Sequence, residues 1–315
     1  MLDPNIAMKN YYRIILGRKH KFFDEGKKGN FIGLGFLGKI DLSNELIDYT
    51  EFNAKYIPVY LQSHPDKTKS AASLSCGMLW RIVNEIKIGD IVFCPDGKGT
   101  YYVGEISSNY QYHKDGNLPH RREVTWYSKT IPRTEMSKSL KNSSGSVLTM
   151  ISITKYADEI ESLLSDSRPN MITVSDETVE NASEFALEEQ LEDFLVENWD
   201  STELGKNYEI VEDDGEIVGQ QYWTEVGEID ILAISKDKKS LLVIELKRGR
   251  ASDKVVGQCL RYMGFVKSQV AETSQNVRGM IIAHEDDIKI RHALSVTQNI
   301  EFYTYKIDFQ LEKKL

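Results

Sequence analysis

Cysteine is scarce in this sequence. Cys76, Cys94 and Cys259 are the three present in 315 residues, far apart and with no C-x-x-C pair. That spacing excludes a disulfide framework and a thiolate zinc site, and it suits a reducing compartment, so a cytoplasmic protein is expected. No apolar run reaches the roughly 18 residues of a membrane span, and no charged-then-apolar leader opens the chain. A membrane partner and a secretory route are therefore not expected. No internal repeat is visible, which sets aside solenoids and propellers.

A positive excess is also missing. The formal net charge is −9, which at first speaks against a nucleic-acid partner. The charge is unevenly spread, however. Residues 1–160 carry 22 Lys+Arg and 17 Asp+Glu, a balance of +5, while residues 161–315 carry 17 and 31, a balance of −14; the two sum to −9. An acidic half can hold a carboxylate-rich cation site while a basic half follows phosphates.

What is present describes a globular protein. The 41% hydrophobic and 28% charged content is ordinary for soluble domains, and the length accommodates two. The stretch "LLSDSRPNMITVSDETVENASEF" is rich in Ser, Asp, Glu and Asn without apolar period, so residues 163–183 read as a linker between domains 1–162 and 184–315. After it, "FALEEQLEDFLVENW" has its apolar residues at helical spacing. Strand candidates "EIDILAIS" and "SLLVIELK" follow, joined by "KDKK"; then come a helix "DKVVGQCLRYMGFVKSQVAE", a strand "VRGMIIAH", a helix "DIKIRHALSVT" and a strand "IEFYTYKIDF". This order predicts an α/β sandwich around a mixed sheet. The first half has short strands, many aromatics and frequent glycines. "NFIGLGFLGKIDLS", "IKIGDIVFCPDGKGTYYVGEISSNYQYH" and "HRREVTWY" read as strands of a compact barrel or curled sheet, with "AASLSCGMLWRIVNEI" a helix resting on it. The fold class expected is thus a two-domain α+β protein, a β-barrel with helices followed by an α/β core.

The chemistry concentrates in "GEIDILAISKDKKSLLVIELKRGR", residues 227–250. A carboxylate and an ammonium at the end of an apolar strand are costly unless paired or metal-bound. Period-two geometry puts Glu245 and Lys247 on one face, and an antiparallel hairpin through "KDKK" brings Asp230 across from them. Two carboxylates so placed repel, and a hard divalent cation such as Mg²⁺ removes that repulsion. Lys247 can then orient a water or steady charge on a phosphate. A salt-bridged strand end would explain an isolated E-x-K equally well. Gln258 and Tyr262, four apart on one face of the next helix, and Glu188, near the apolar face of the preceding one, add three further positions to the set.

In this order "EEQLEDFL", "GEID", "IELKRG" and "GQCLRY" resemble the successive motifs of the PD-(D/E)xK nuclease superfamily, most nearly its NucS-type and RecB-like endonucleases. The resemblance covers about residues 184–315. It implies an αβββαβ core and metal-dependent hydrolysis of DNA phosphodiesters, with Mg²⁺ as cofactor and Mn²⁺ as a substitute. It makes Asp230 and Glu245 metal ligands and Lys247 the group acting on the water or scissile phosphate. Glu188 would assist the metal or its waters, and Gln258 and Tyr262 would support the site or touch the DNA backbone.

In the first half, aromatics interleave with Arg and Lys, the pattern of a protein that stacks on bases or holds a flipped one. Phe36, Trp80, Tyr110 and Trp126 are the candidate walls; each has a competing reading as core. "FIGLGF…DLS", "LWRIVNEIKIGDIVF", "YYVGEISSNYQYH" and "HRREVTW" resemble the EVE and YTH members of the PUA-like barrels, which bind modified bases in aromatic cages. Phe36 stands where those domains often carry Trp. Together these readings predict a restriction endonuclease for modified double-stranded phage DNA, in which the first domain reads a base and the second cuts nearby, with a homodimer compatible with cutting both strands. A structure- or mismatch-specific NucS-like repair endonuclease is the close alternative, and a non-catalytic nucleic-acid-binding protein the distant one.

Overall fold

A computed structural model describes residues 9–165 and 182–306. The chain divides into two compact units, Met1–Ala182 and Ser183–Leu315. Most of the expected linker falls on residues 166–181, outside the described residues; its first three positions, 163–165, are helical. Among the described residues no helix is long and apolar enough to cross a membrane. The three cysteines are free and buried.

The first unit runs β1 (Tyr11–Ile14), α1 (Phe23–Gly29), β2 (Phe31–Leu34), α2 (Tyr49–Ser63), α3 (Lys69–Trp80), β3 (Ile91–Pro95), β4 (Thr100–Ile106), β5 (Gln111–Tyr112), β6 (His120–Pro132), α4 (Lys138–Ser144), β7 (Met150–Ser152) and α5 (Ala157–Ser165). Its strands form one sheet in the order β2-β6-β4-β3-β1-β7, with β5 paired to β6. β1 lies parallel to β3, and the other pairings are antiparallel. The expected long strand over "NFIGLGFLGKIDLS" stops at Leu34, and the chain then turns through Leu37 at φ +49°.

The helix expected over "AASLSCGMLWRIVNEI" forms as α3, started by Thr68, whose hydroxyl accepts from the Ala71 amide at 3.2 Å. Its closing turn, Arg81–Glu85, widens to π geometry. The buried Arg122 of β6 holds that turn: its Nε donates to Ile82 O at 2.6 Å and its Nη2 to Val83 O at 2.9 Å. Carbonyls that a regular helix would satisfy internally are thus taken up by a guanidinium. Burial brings the Arg122 pKa down to about 10. Helix α2, which the sequence reading leaves out, carries Pro58 in its interior and is started by Asp48, whose carboxylate accepts from Glu51 N at 2.9 Å.

The second unit runs α6 (Ala182–Glu197), α7 (Glu203–Asn207), β8 (Tyr208–Ile210), β9 (Glu212–Asp213), β10 (Glu216–Ile217), β11 (Gln220–Thr224), β12 (Gly227–Ser235), β13 (Ser240–Arg250), α8 (Asp253–Phe265), β14 (Asn276–Glu285), α9 (Ile288–Ser295) and β15 (Ile300–Thr304). The main sheet is ordered β11-β12-β13-β14-β15, with β8 also on β12. The hairpin β12–β13 is antiparallel, and β13, β14 and β15 are parallel, as helix crossovers require. The expected mixed sheet with flanking helices is present.

Period two sorts this sheet into two faces. Ile231, Ala233, Leu242, Ile244, Leu246, Met280 and Ile282 form one core with Trp199, against which Leu191 and Leu195 of α6 pack. The alternate positions face α8. Gly279 of β14 permits that approach, because a Cβ there would lie 2.6 Å from both Cys259 Sγ and Met263 Sδ.

Candidate active site and aromatic groove

Asp230 and Glu245 meet through the β12–β13 register. The ladder pairs Ile231 with Ile244, so one residue further on Asp230 stands opposite Glu245, on the face that receives α8. Regular pairing is modified there: Asp230 Oδ2 accepts the Leu246 backbone amide at 2.7 Å. A carboxylate oxygen replaces a backbone carbonyl in the ladder, which fixes the Asp230 side chain in place. Glu245 is completely buried. Lys247 follows two residues later on the same face and is half-buried.

Helix α8 covers these acids. Tyr262 is buried, and its hydroxyl is pushed up to about 12, first by burial and then by the negative charge of Glu245. Asp230 adds to the rise, while a hydrogen bond with Gln258 works against it. The Cys259 thiol is likewise pushed up to about 12 by burial and by Glu245. Two side chains of one helix thus sense the same carboxylate. The sequence-predicted Asp230, Glu245, Gln258 and Tyr262 are brought together, with Lys247 on the same face of β13. Glu188 belongs to α6, but its side chain lies outside the described residues.

Two residues of this unit are not picked out by the sequence pattern, Glu192 on the α6 side of the sheet and Gly227 beside Tyr262. Glu192, one turn after Glu188, is buried and accepts from Gln220 Nε2 at 2.9 Å; the same nitrogen reaches Asp193 Oδ1 at 3.2 Å. Glu192 directly follows Leu191 of the apolar stripe, and that adjacency is the signal that could have found it. Gly227 begins β12 at φ +129°, and a Cβ there would lie 2.4 Å from the Tyr262 hydroxyl oxygen. Its glycine is therefore demanded twice, by backbone and by contact.

The donor set suits a hard cation in kind: two carboxylates on one face, one of them wholly buried, while the nearby Cys259 is held as a neutral thiol. Among the described residues no group of three or more His, Cys, Asp or Glu side chains is gathered as a metal centre.

The four candidate base-stacking aromatics of the first unit occupy different environments. Phe36 packs edge-on against Tyr60, centroids 6.5 Å apart. Tyr110 reaches the same loop through His120: its hydroxyl lies 2.7 Å from His120 Nδ1, and His120 Nε2 lies 3.4 Å from Leu37 O. Trp80 is anchored, its indole nitrogen donating to Ile47 O at 2.9 Å while Tyr49 meets its ring edge-on at 5.4 Å. Trp126 lines an open groove of about 600 Å³ with Lys27, Asn30, Glu123 and Thr125. The Lys27 ammonium lies 5.2 Å from the Trp126 ring centre and 5.3 Å from that of Tyr102. The Trp126 indole N–H is buried with no hydrogen-bond partner among the described residues. Gly104 makes room for that indole, since a Cβ there would fall 2.9 Å from Trp126 Cε3.

Residues 187–313 match the family described as "Endonuclease NucS C-terminal domain", and residues 12–155 match a "Domain of unknown function" (DUF8426). Endonuclease NucS of Sulfolobus acidocaldarius is 33% identical over 92 residues, covering 29% of this chain and 31% of that protein. The chain thus matches less than a third of that relative's length. Among solved structures, an EndoMS-dsDNA2 complex is 14% identical at a TM-score of 0.30, over 67% of this chain and 62% of that one. A repair endonuclease from Pyrococcus abyssi is 17% identical at the same TM-score, over 67% and 66%.

Two outcomes follow from this geometry. Gly227→Ala destabilises the second unit by about 2–4 kcal/mol, through the unfavourable φ and the collision with Tyr262. Tyr262→Phe in that background restores part of the loss, as denaturant midpoints of single and double variants will show. In the first unit, burial pulls the His120 pKa from 6.5 to about 4. The unfolded chain therefore takes up a proton between these values that the folded one refuses, so stability is full above pH 6.5 and declines towards pH 4. A loss of roughly 2–3 kcal/mol over that window is expected, flattened by His120→Gln, in urea titrations at each pH.

Proposed function

We propose that this chain, whose residues 187–313 are of the endonuclease NucS C-terminal type, is a divalent-metal-dependent DNA endonuclease whose first unit selects the DNA. The observation that carries the reading is the Asp230–Glu245 pairing on one sheet face, with Lys247 beside it and Tyr262 over it. Mg²⁺ is the cation we assign, held by Asp230 and Glu245; when bound it supplies Lewis-acid activation of water and charge neutralisation at the phosphate. The protein's own groups do the rest. Leu246 N fixes Asp230 by its hydrogen bond. Tyr262, kept protonated by burial and by Glu245, keeps water out of the apolar side of the site. Lys247, a half-exposed cation, faces the phosphate and balances the charge that grows on it during attack.

The substrate reading that fits best is a structure- or mismatch-specific duplex, in keeping with the NucS-type domain, rather than the restriction of modified DNA. One observation keeps the second reading in view. The Trp126 groove has an aromatic face with a lysine over it, the ingredients for stacking an extruded base. Either way the first unit reads an unpaired or altered base, the division of labour we assign to the two units. One such site cuts one strand, so a double-strand break needs two chains or two events.

Asp230→Asn and Glu245→Gln should abolish cleavage, and Lys247→Ala should slow it by on the order of a hundred- to a thousandfold, while duplex binding persists. Asparagine at 230 still accepts from Leu246 N, so the ladder is retained. Glu245→Gln replaces a fully buried carboxyl group by a neutral amide of the same shape, and its melting temperature in chelator should hold or rise. A fall would mark Glu245 as a structural salt-bridge member instead. Near-wild-type nicking in Mg²⁺ by any two of the three variants would refute the nuclease reading.

Trp126→Ala is expected to weaken binding to the preferred DNA about five- to a hundredfold, the loss of one stacked base. Matched, mismatched and base-modified duplexes compared side by side decide which DNA is preferred.

A further inference from the structure

Gln221 lies inside β11 with φ +47°, the left-handed region that residues with side chains rarely occupy within strands. Such a conformation persists only where the surroundings over-determine it, and here both flanks are pinned. Gly219 lies so close to β12 that a Cβ would fall 2.2 Å from Leu232 O, and its own carbonyl accepts from Leu232 N at 2.7 Å. Gln220 is tied to Glu192 and Asp193 of α6. On the other side Tyr222 is buried and paired with Ile229.

The β11–β12 ladder pairs Gln220 with Ile231 and Tyr222 with Ile229. The position between them, Gln221 against Asp230, is missing from the ladder. The backbone irregularity therefore falls beside the very acid that the nuclease reading assigns to the cation. Gln220 serves the α6 side, and Gln221 occupies the register position beside Asp230, the neighbour of Glu245 across β12 and β13. It is half-buried, and its carboxamide makes no hydrogen bond among the described residues.

We propose that Gln221 is a substrate-contacting residue of this site, its carboxamide N–H donating to a phosphate oxygen of the DNA strand laid across Asp230 and Glu245. This rests on the nuclease reading. The acidic half of the chain carries a balance of −14 over residues 161–315, from 17 Lys+Arg and 31 Asp+Glu, and repels phosphate. A neutral amide binds a phosphate oxygen without drawing the two carboxylates into a salt bridge, as a cation at 221 would.

The test uses the full-length protein and three variants, Gln221→Gly, Gln221→Ala and Gln221→Asn, with duplex binding and steady-state cleavage measured on each. Glycine adopts φ +47° freely, so Gln221→Gly should melt at or above the wild-type temperature. It should nevertheless raise Kd and KM by on the order of tenfold with kcat little changed, as loss of a contact made equally in ground and transition state requires. Gln221→Ala should lose the same affinity and melt lower. Gln221→Asn, which tolerates left-handed backbone but falls one methylene short, should also lose affinity and serves if the glycine variant does not fold. Wild-type Kd and KM in Gln221→Gly, or in Gln221→Asn where that variant stands in, would overturn the proposal and leave the nuclease reading intact. If the wild type binds duplex without cutting it, the nuclease reading falls, and the Kd ratio alone still judges Gln221. If it neither binds nor cuts, both fall.

Discussion

A carboxylate with no access to solvent dominates the second unit. Glu245 is wholly buried in β13, and an ionised acid in such a place is tolerated only where the surroundings compensate its lost hydration. Much of the local construction follows from that constraint. Asp230 is fixed on the neighbouring strand by a backbone amide, and α8 sets Cys259 and Tyr262 where burial first and the Glu245 charge second raise the pKa of both. Gly279 and Gly227 lack side chains where α8 must come close. A sheet that needed only to be stable would place a leucine at 245. Under the nuclease reading proposed above, the acid is kept at 245 for the cation it would hold.

How far this was readable in the sequence depends on the range of each determinant. Asp230, Glu245 and Lys247 were legible because strand alternation and a four-residue hairpin are local and fix who faces whom. Gln258 and Tyr262 were legible from i, i+4 spacing on a helix with a clear start. Glu192, Gln220 and Gly227 were not, since each is defined by contacts between elements far apart in sequence, and the left-handed backbone of Gln221 leaves no mark in the residue order. A glutamate in an acidic run looks exposed until a glutamine 28 residues later is found bonded to it.

The first unit shows the same division more sharply. Helix α3 was visible as a run of small and apolar residues, and most strands as aromatic and β-branched clusters. Helix α2 was hidden by Pro58 and by aromatics that also suit strands. The strand expected through Phe36 was cut short by Leu37 in left-handed geometry. The aromatics proposed as one cage turn out to be distributed: Phe36 and Tyr110 around His120, Trp80 anchored to Ile47, and Trp126 alone lining the groove beneath Lys27. Aromatic composition signals that stacking surfaces exist, while long-range contacts decide which remain open.

On the proposed nuclease reading, the hydrogen bond from Leu246 N gives Asp230 a structural duty beside its assigned chemical one, and that shapes how such a domain would decay. Position 230 must keep an oxygen acceptor for the strand pair whether or not any chemistry survives, whereas position 245 becomes easier to satisfy once its charge is gone. A descendant that had lost cleavage but kept its fold would therefore drift first at 245, towards an apolar residue, and would hold Asp or Asn at 230 much longer. An aspartate surviving in "GEID" is thus weak testimony that a homologue still cuts; the glutamate of "IELK" is the letter to read.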